Sequence, residues 1–163
     1  MTETPIEYEP IGVIHTPFED PAGMPIQPTG AEATVGTIDL EPAYDAGLDD
    51  LDGFSHCILL YHFHASDDSV SMQVEPFLDD TDRGLFATRA PQRPNGIGLS
   101  VVAIETISDG TMTVRGIDVV DGTPLLDIKP LVADFDVPTE IEQGWLTEAG
   151  GNVQSQRADD RFL

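Results

Sequence analysis

Apolar and polar residues alternate along most of this chain in short runs, the period-two pattern of half-buried strands. "PIGVIHT" (10–16) and "AEATVGTIDL" (31–40) both read this way. Between them, residues 17–30 carry four prolines and two glycines, which predicts a long loop without regular structure, a type that often carries function. "FSHCILLYHFH" (54–64) is apolar at nearly every position and predicts a central strand. "MQVEPFL" (72–78) predicts a shorter one, ended by the acidic turn "DDTD". "IGLSVVAIETI" (97–107) is rich in β-branched residues, and "DG" at 109–110 turns it into "TMTVRGIDVV" (111–120), a hairpin signal. A second "DG" at 121–122 leads into "TPLLDIKPLV". Residues 41–54 predict a short helix and a turn. Residues 138–149, with Ile141, Trp145 and Leu146 at roughly helical spacing, predict another short helix. About seven short strands argue a mainly-β domain, best closed as a single β-barrel, because closure removes exposed strand edges. The barrel domain is expected over 1–149, with a polar tail at 150–163.

Composition sets that domain in an unusual solvent. Of 163 residues, 30 are acidic and 7 basic, for a net charge of −23, and Lys129 is the only lysine. The acids are scattered from Glu3 to Asp160 rather than gathered in a block, which favours adaptation to concentrated salt over an acidic interaction tail. At about 1 M salt the Debye length is only about 3 Å, so local charge at a contact, not the total, decides binding to nucleic acid. The first ten residues lack the basic and apolar regions of a signal peptide, and no apolar run approaches a membrane span. A soluble, cytoplasmic protein is expected. Cys57 is the only cysteine, which excludes an internal disulfide and a cysteine-based zinc site.

No glycine-rich dinucleotide turn, phosphate-binding P-loop or serine-nucleophile elbow is present. His62 and His64, two apart on a predicted strand, share a face. They could pair on a metal or simply edge a pocket, and no third ligand stands at a recognisable spacing. Between Thr81 and Ser100, however, three arginines meet a single acid, so this window is net positive in a very negative chain. Pro91 and Pro94 stiffen it, and Gly96 and Gly98 permit close backbone approach. Two readings stand side by side. Either a rigid basic loop meets an anionic or polar ligand, or its arginines pair with the abundant acids in a tight connection. "DVVDGTPLLDIKP" (118–130) is a second candidate, with Asp118, Asp121 and Asp127 near the lone lysine. Its carboxylates could accept hydrogen bonds from a ligand, or form a solvated acidic turn.

These stretches, together with "IGVIHTPF" (11–18), "MPIQP" (24–28) and "GLDDLDGFSHCILLYHFH" (47–64), resemble the TrmO family, also called TsaA-like or VirR-like. The resemblance runs from about residue 10 to 136. It implies a β-barrel rather than a Rossmann methyltransferase, usually a homodimer. It also implies transfer of a methyl group from S-adenosyl-L-methionine to N6 of threonylcarbamoyl-adenosine beside the anticodon of tRNA. Carried onto matching positions, it implies cofactor contacts at Pro25, Gln27, His64, Arg89, Leu99, Asp118 and Asp121. No metal is implied.

Methyl transfer from a sulfonium is an in-line displacement that depends on alignment. The N6 lone pair is conjugated into the ring, so an acceptor for its proton would help. Asn95 and Asp127 are the candidate catalytic residues, and Arg93 and Lys129 the candidate tRNA contacts. The alternatives are methylation of another small molecule or a protein, and a non-catalytic S-adenosylmethionine sensor. Three positions depart from the family pattern: Gly96 stands where proline is common, Leu131 where tyrosine is, and Ile26 where arginine is frequent. Many bacterial members also carry a further C-terminal region thought to help hold tRNA, and this sequence ends soon after the expected barrel.

Overall fold

The densest apolar run does become the central strand. In a computed structural model, which describes residues 4–20, 34–76 and 79–149, β3 (His56–His62) pairs with β6 (Ile97–Ser108) on one side and β8 (Thr123–Pro130) on the other. The remaining wall is β1 (Gly12–His15), β2 (Val35–Leu40) and β7 (Thr111–Arg115). Around the barrel the order is β1-β2-β7-β6-β3-β8, and three β1–β8 residue pairs close it. All pairings are antiparallel. No barrel strand is therefore left with an open edge. A two-stranded ribbon of β4 (Gln73–Val74) and β5 (Arg83–Gly84) lies within the long β3–β6 connection.

Antiparallel order sorts the connections to two ends. The β1–β2, β3–β6 and β7–β8 loops all leave from one end, and the β2–β3 segment and the 109–110 turn from the other. Along β3, Cys57, Leu59 and Tyr61 point inward, while Ile58 and Leu60 lie half-buried on the outside. The interior is filled by Ile14, Ile38, Leu59, Val102, Met112, Val114, Ile117 and Leu125, each with almost no exposure. Leu48 and Leu51, from the 3-10 turns Pro42–Leu48 and Leu51–Gly53, join the core at the turn end.

The 109–110 hairpin turn forms as expected, with both residues at positive φ (Asp109 51°, Gly110 77°), the geometry that favours Asp-Gly. Elsewhere the elements are shorter than the pattern predicts. Of the expected strand 72–78, whose last two residues lie outside the described ones, Gln73–Val74 pairs, ahead of Pro76, which has no N–H for a ladder. β7 stops at Arg115, where Gly116 turns the chain at φ 86°. The expected helix within 41–54 is two 3-10 turns. Only Leu146–Ala149 of the 138–149 segment is helical, and Gly144 at φ 55° precedes it. A four-residue helix, Ala133–Asp136, was not expected. The tail 150–163 lies outside the described residues, as do Pro25 and Gln27. No helix among the described residues is long and apolar enough to cross a membrane.

One glycine decides the loop end. A Cβ at Gly98 would lie 2.1 Å from Tyr61 Cε2 and 2.8 Å from Phe63 Cζ, so the Tyr61 ring fills the space a side chain there would need. At Gly96 a Cβ would meet nothing closer than Phe63 Cβ at 3.7 Å, an ordinary contact. Gly98→Ala is therefore expected to lower the unfolding free energy by about 1–3 kcal/mol, as overpacking does. Gly96→Ala should stay within about 0.5 kcal/mol of the parent. Denaturant unfolding of the two variants measures the contrast, and equal losses would contradict the packing at residue 98.

Candidate active site

The loop end gathers most of the chemistry-bearing residues. Ser100 is inward-facing, one strand position from Gly98 on the same face, and completely buried. Its hydroxyl donates to Asp118 Oδ1 at 2.6 Å and lies 2.8 Å from the Tyr61 hydroxyl. Asp118 sits in the β7–β8 loop and is partly buried. Burial pushes its carboxyl up to about 6, against opposing pulls from the Ser100 bond and the Arg89 charge. The Tyr61 hydroxyl is pushed up as well, by burial first and then by the Asp118 charge. Arg89, exposed in the β3–β6 loop, acts electrostatically on both groups. A guanidinium, a carboxylate and two buried hydroxyls are thus drawn together from two strands and two loops.

Asp121, three residues on, has another job. It accepts the Thr16 N–H at 3.1 Å and faces His15 Nδ1 at 3.2 Å, and its own N–H donates to the Phe18 carbonyl at 2.7 Å. The Thr16 N–H first, then His15, hold its carboxyl below the usual range. His15 also reaches Asp39, Nε2 to Oδ2 at 3.4 Å. Asp121 ties the start of the β1–β2 loop to the β7–β8 loop at the same barrel end.

The three arginines of the basic window divide their work. Arg83 pairs with Asp79, Nε to Oδ2 at 2.7 Å, and stands 5.7 Å from the centre of the Trp145 ring. Trp145 donates its indole N–H to the Ala87 carbonyl at 2.8 Å, strapping the segment before the last helix onto the 85–87 turn. Arg93 donates to the Thr88 and Ala90 carbonyls at 3.0 and 3.1 Å, and its guanidinium lies 5.8 Å from the Phe86 ring centre. Both arginines hold the loop's shape. The third, Arg89, directs its charge at Asp118 and Tyr61.

The other expected residues scatter. Asn95 is exposed on the loop just before β6. Leu99 is 44% exposed on the outer face of β6, opposite in direction to Ser100. His64 is exposed in the turn after β3, beyond the strand that was expected to carry it beside His62. No group of three metal-type ligands occurs among the described residues. Asp127 and Lys129 lie farther along β8, opposite Leu60 and Ile58. Lys129 Nζ pairs with Asp127 Oδ2 at 2.8 Å, and Asp127 Oδ1 accepts the Ile128 N–H. Asp127 lines a cavity of about 550 Å³ at the turn end, between Ile11, Leu40, Tyr44 and Phe54. The structure therefore places Asn95 on the loop that carries Arg89, and Asp127 and Lys129 on β8, with Asp127 level with Leu60 and Leu99. Tyr61 and Ser100 were not anticipated. Ser100 left a signal: it is a polar residue on the inward-facing side of a β-branched strand, where it must find a partner. Cys57, whose thiol burial raises to about 12, is a core side chain.

The family described as tRNA-methyltransferase O N-terminal domain matches residues 13–137, and this chain belongs to it. It is 44% identical over 156 residues to a probable S-adenosyl-L-methionine-binding protein of Pyrococcus abyssi, covering 96% of this chain and 84% of that one. It is 34% identical over 139 residues to the human tRNA (adenine(37)-N6)-methyltransferase, covering 82% of this chain and 32% of that one. A crystal structure of TrmO from Pseudomonas aeruginosa superposes with a TM-score of 0.72 at 39% identity, over 87% of this chain and 63% of that one. The chain thus spans most of the archaeal relative and about a third of the human one.

The buried position of Asp118 has a measurable signature. Its carboxyl titrates at about 6 in the fold, against 3.8 as its ordinary value. Between these values the folded state holds a proton that the unfolded chain has lost, so this residue's contribution falls as pH rises from about 4 through 6. Asp118→Asn keeps an acceptor for Ser100 and removes the charge. It is expected to be more stable than the parent at pH 7.5 by on the order of 2–3 kcal/mol and to converge with it near pH 4. Unfolding curves at the two pH values check this, and a parallel pH dependence in both proteins would contradict it.

Proposed function

We propose that this chain is an S-adenosyl-L-methionine-dependent methyltransferase of tRNA, acting on the exocyclic N6 of threonylcarbamoyl-adenosine beside the anticodon. The observation that carries the reading is the loop-end cluster of Arg89, Asp118, Ser100 and Tyr61 in a chain of this family. The cluster suits the cofactor's chemistry. A carboxylate complements its amine, ribose hydroxyls or sulfonium, a guanidinium complements its carboxylate, and exposed Leu99 and Ile97 offer apolar contact. Arg89, Asp118, Leu99 and His64, with Pro25 and Gln27, would hold it, and Asp121 would brace the adjoining loops. When bound, S-adenosylmethionine supplies an electrophilic methyl group.

The chain's own task is then alignment and removal of the N6 proton. Asn95 stands at the correct end to accept a hydrogen bond from the acceptor amine. Asp127 is committed to Lys129 and to the Ile128 N–H. Phe86, 74% exposed with Arg93 over its ring, is suited to stack on an unpaired base of the anticodon loop. A homodimer would use the outer face of β3 and β6 around half-buried Ile58, Leu60 and Val101. The site of action would be the cytoplasm, where tRNA is modified.

The reading is tested with radiolabelled S-adenosylmethionine at high salt. Label should enter tRNA that carries the threonylcarbamoyl group and not tRNA that lacks it. Cofactor binding with no transfer to either would instead make the chain a sensor. Arg89→Ala should weaken S-adenosylhomocysteine binding at least tenfold, the scale of a charge-assisted bond, while the barrel still folds by circular dichroism. Phe86→Ala should raise KM for tRNA about tenfold or more, the scale of one base–aromatic stack, and leave cofactor affinity unchanged. An unaltered KM would remove Phe86 from the tRNA contact.

A further inference from the structure

Tyr61, Ser100 and Asp118 form a single polar chain in a mostly apolar barrel interior, separate from the buried Thr123 hydroxyl, which donates to the Val120 carbonyl. Ser100 has one hydroxyl proton, and it goes to the Asp118 carboxylate at 2.6 Å. The 2.8 Å contact between Tyr61 and Ser100 must then be a bond donated by the tyrosine. The chain therefore has a direction, Tyr61 to Ser100 to Asp118, with every donor aimed at the carboxylate. Bonds in such a series reinforce one another in a low-dielectric interior.

The interior has no structural need of this chain. Phenylalanine and alanine at 61 and 100 would fill the same barrel with fewer polar atoms, and replacing both partners of a buried bond by apolar groups is nearly neutral. The backbone is nevertheless adapted to it, since Gly98 gives up its side chain to seat the Tyr61 ring. The Phe63 ring packs against it edge-to-face, at 5.6 Å and 89°, and borders the same space over Gly98. Tyr61 is 4% exposed and Ser100 fully buried, so neither is placed to touch a ligand directly. What they can do is hold Asp118.

We infer that Tyr61 and Ser100 are positioning residues of the methyl-transfer site, holding the Asp118 carboxylate in one orientation and in its charged form at the barrel mouth. The inference rests on the proposed function, because it takes the mouth as the cofactor site. The groups acting on Asp118 from the elements around it are Tyr61 of β3, Ser100 of β6 and Arg89 of the β3–β6 loop. Asp121, on its own loop, is engaged with Thr16 and His15 instead.

The test uses the full chain, with Ser100→Ala and Tyr61→Phe. Fold is followed by circular dichroism and thermal melting. S-adenosylhomocysteine affinity is followed by calorimetry from pH 5 to 8, and the Asp118 carboxyl by carbon NMR. Both variants should fold. Ser100→Ala should lose about tenfold in affinity at pH 7.5, and its affinity and Asp118 titration should move together to higher pH, because a donor to the charged form is gone. Tyr61→Phe should shift both in the same direction by less, and it carries the test should Ser100→Ala fail to fold. Parental affinity and pH profile in a folded variant would overturn the inference and leave the chain a methyltransferase. A parent that binds no S-adenosylhomocysteine would overturn the underlying reading, and this one with it.

Discussion

The Tyr61 ring occupies the space that a side chain at position 98 would fill, and much of the loop end is arranged around that substitution. With the ring seated there, its hydroxyl reaches Ser100, and Ser100 can deliver its proton to Asp118. The register supports the same geometry. Tyr61 stands opposite Gly98 and Leu59 opposite Ser100, so the large and small inward residues of β3 and β6 interlock. The β3–β8 pairing also shifts between Leu60 and Tyr61, where Leu126 of β8 is the extra, unpaired residue. Two neighbouring glycines, one before β6 and one in it, thus play different parts. Gly98 is a packing requirement, while Gly96, where the family favours proline, merely borders Phe63 and His62 at ordinary distances.

The basic window in an acidic chain has a mixed explanation. Two readings stood open, ligand contact or pairing with surplus acids, and the structure distributes the arginines between them. Arg83 is an acid-paired residue and Arg93 a loop staple. Arg89 alone of the three faces the polar cluster electrostatically. Local charge at the site is therefore smaller than the window's composition suggests. Under the proposed function, shape would carry correspondingly more of the recognition: the strapped 85–87 turn, the exposed Phe86 ring, and the loops joined through Asp121.

How much of this could be read from the residues alone follows from how local each cause is. β3 and β6 were legible because a buried strand needs apolar residues throughout, and the 109–110 turn because Asp-Gly tolerates positive φ. The failures have non-local causes. "MQVEPFL" has strand composition but only Arg83–Gly84 to pair with, so among its described residues just two form a ladder. Residues 138–143 have helical spacing but no helix. The helix starts only after Gly144 has turned the chain and Trp145 has docked on Ala87. The same division holds in the candidate site. Arg89 and Asp118 stood out as charged residues in specific motifs. Ser100 and Tyr61 looked like ordinary strand residues, because their role exists only once β3, β6 and the β7–β8 loop are brought together. Asp127 also lies in a specific motif, and the strand sets it opposite Leu60, where it pairs with Lys129.

A carboxylate under the loops is an uncomfortable thing for a small barrel to keep. Burial disfavours its charged form, and the hydroxyl chain and Arg89 offset only part of that penalty, which is why its titration stays displaced upward. Optimised for stability alone, the fold would place a neutral group at 118 and apolar ones at 61 and 100. It does the reverse, while most of the interior, from Ile14 to Leu125, is apolar and the other buried hydroxyl, Thr123, is satisfied by the Val120 carbonyl. Strain of this kind persists in folds where surrounding structure over-determines it, and it concentrates at sites that bind or react. Here the surrounding structure is a closed ring of strands with no free edge, which can carry one destabilised mouth without opening elsewhere.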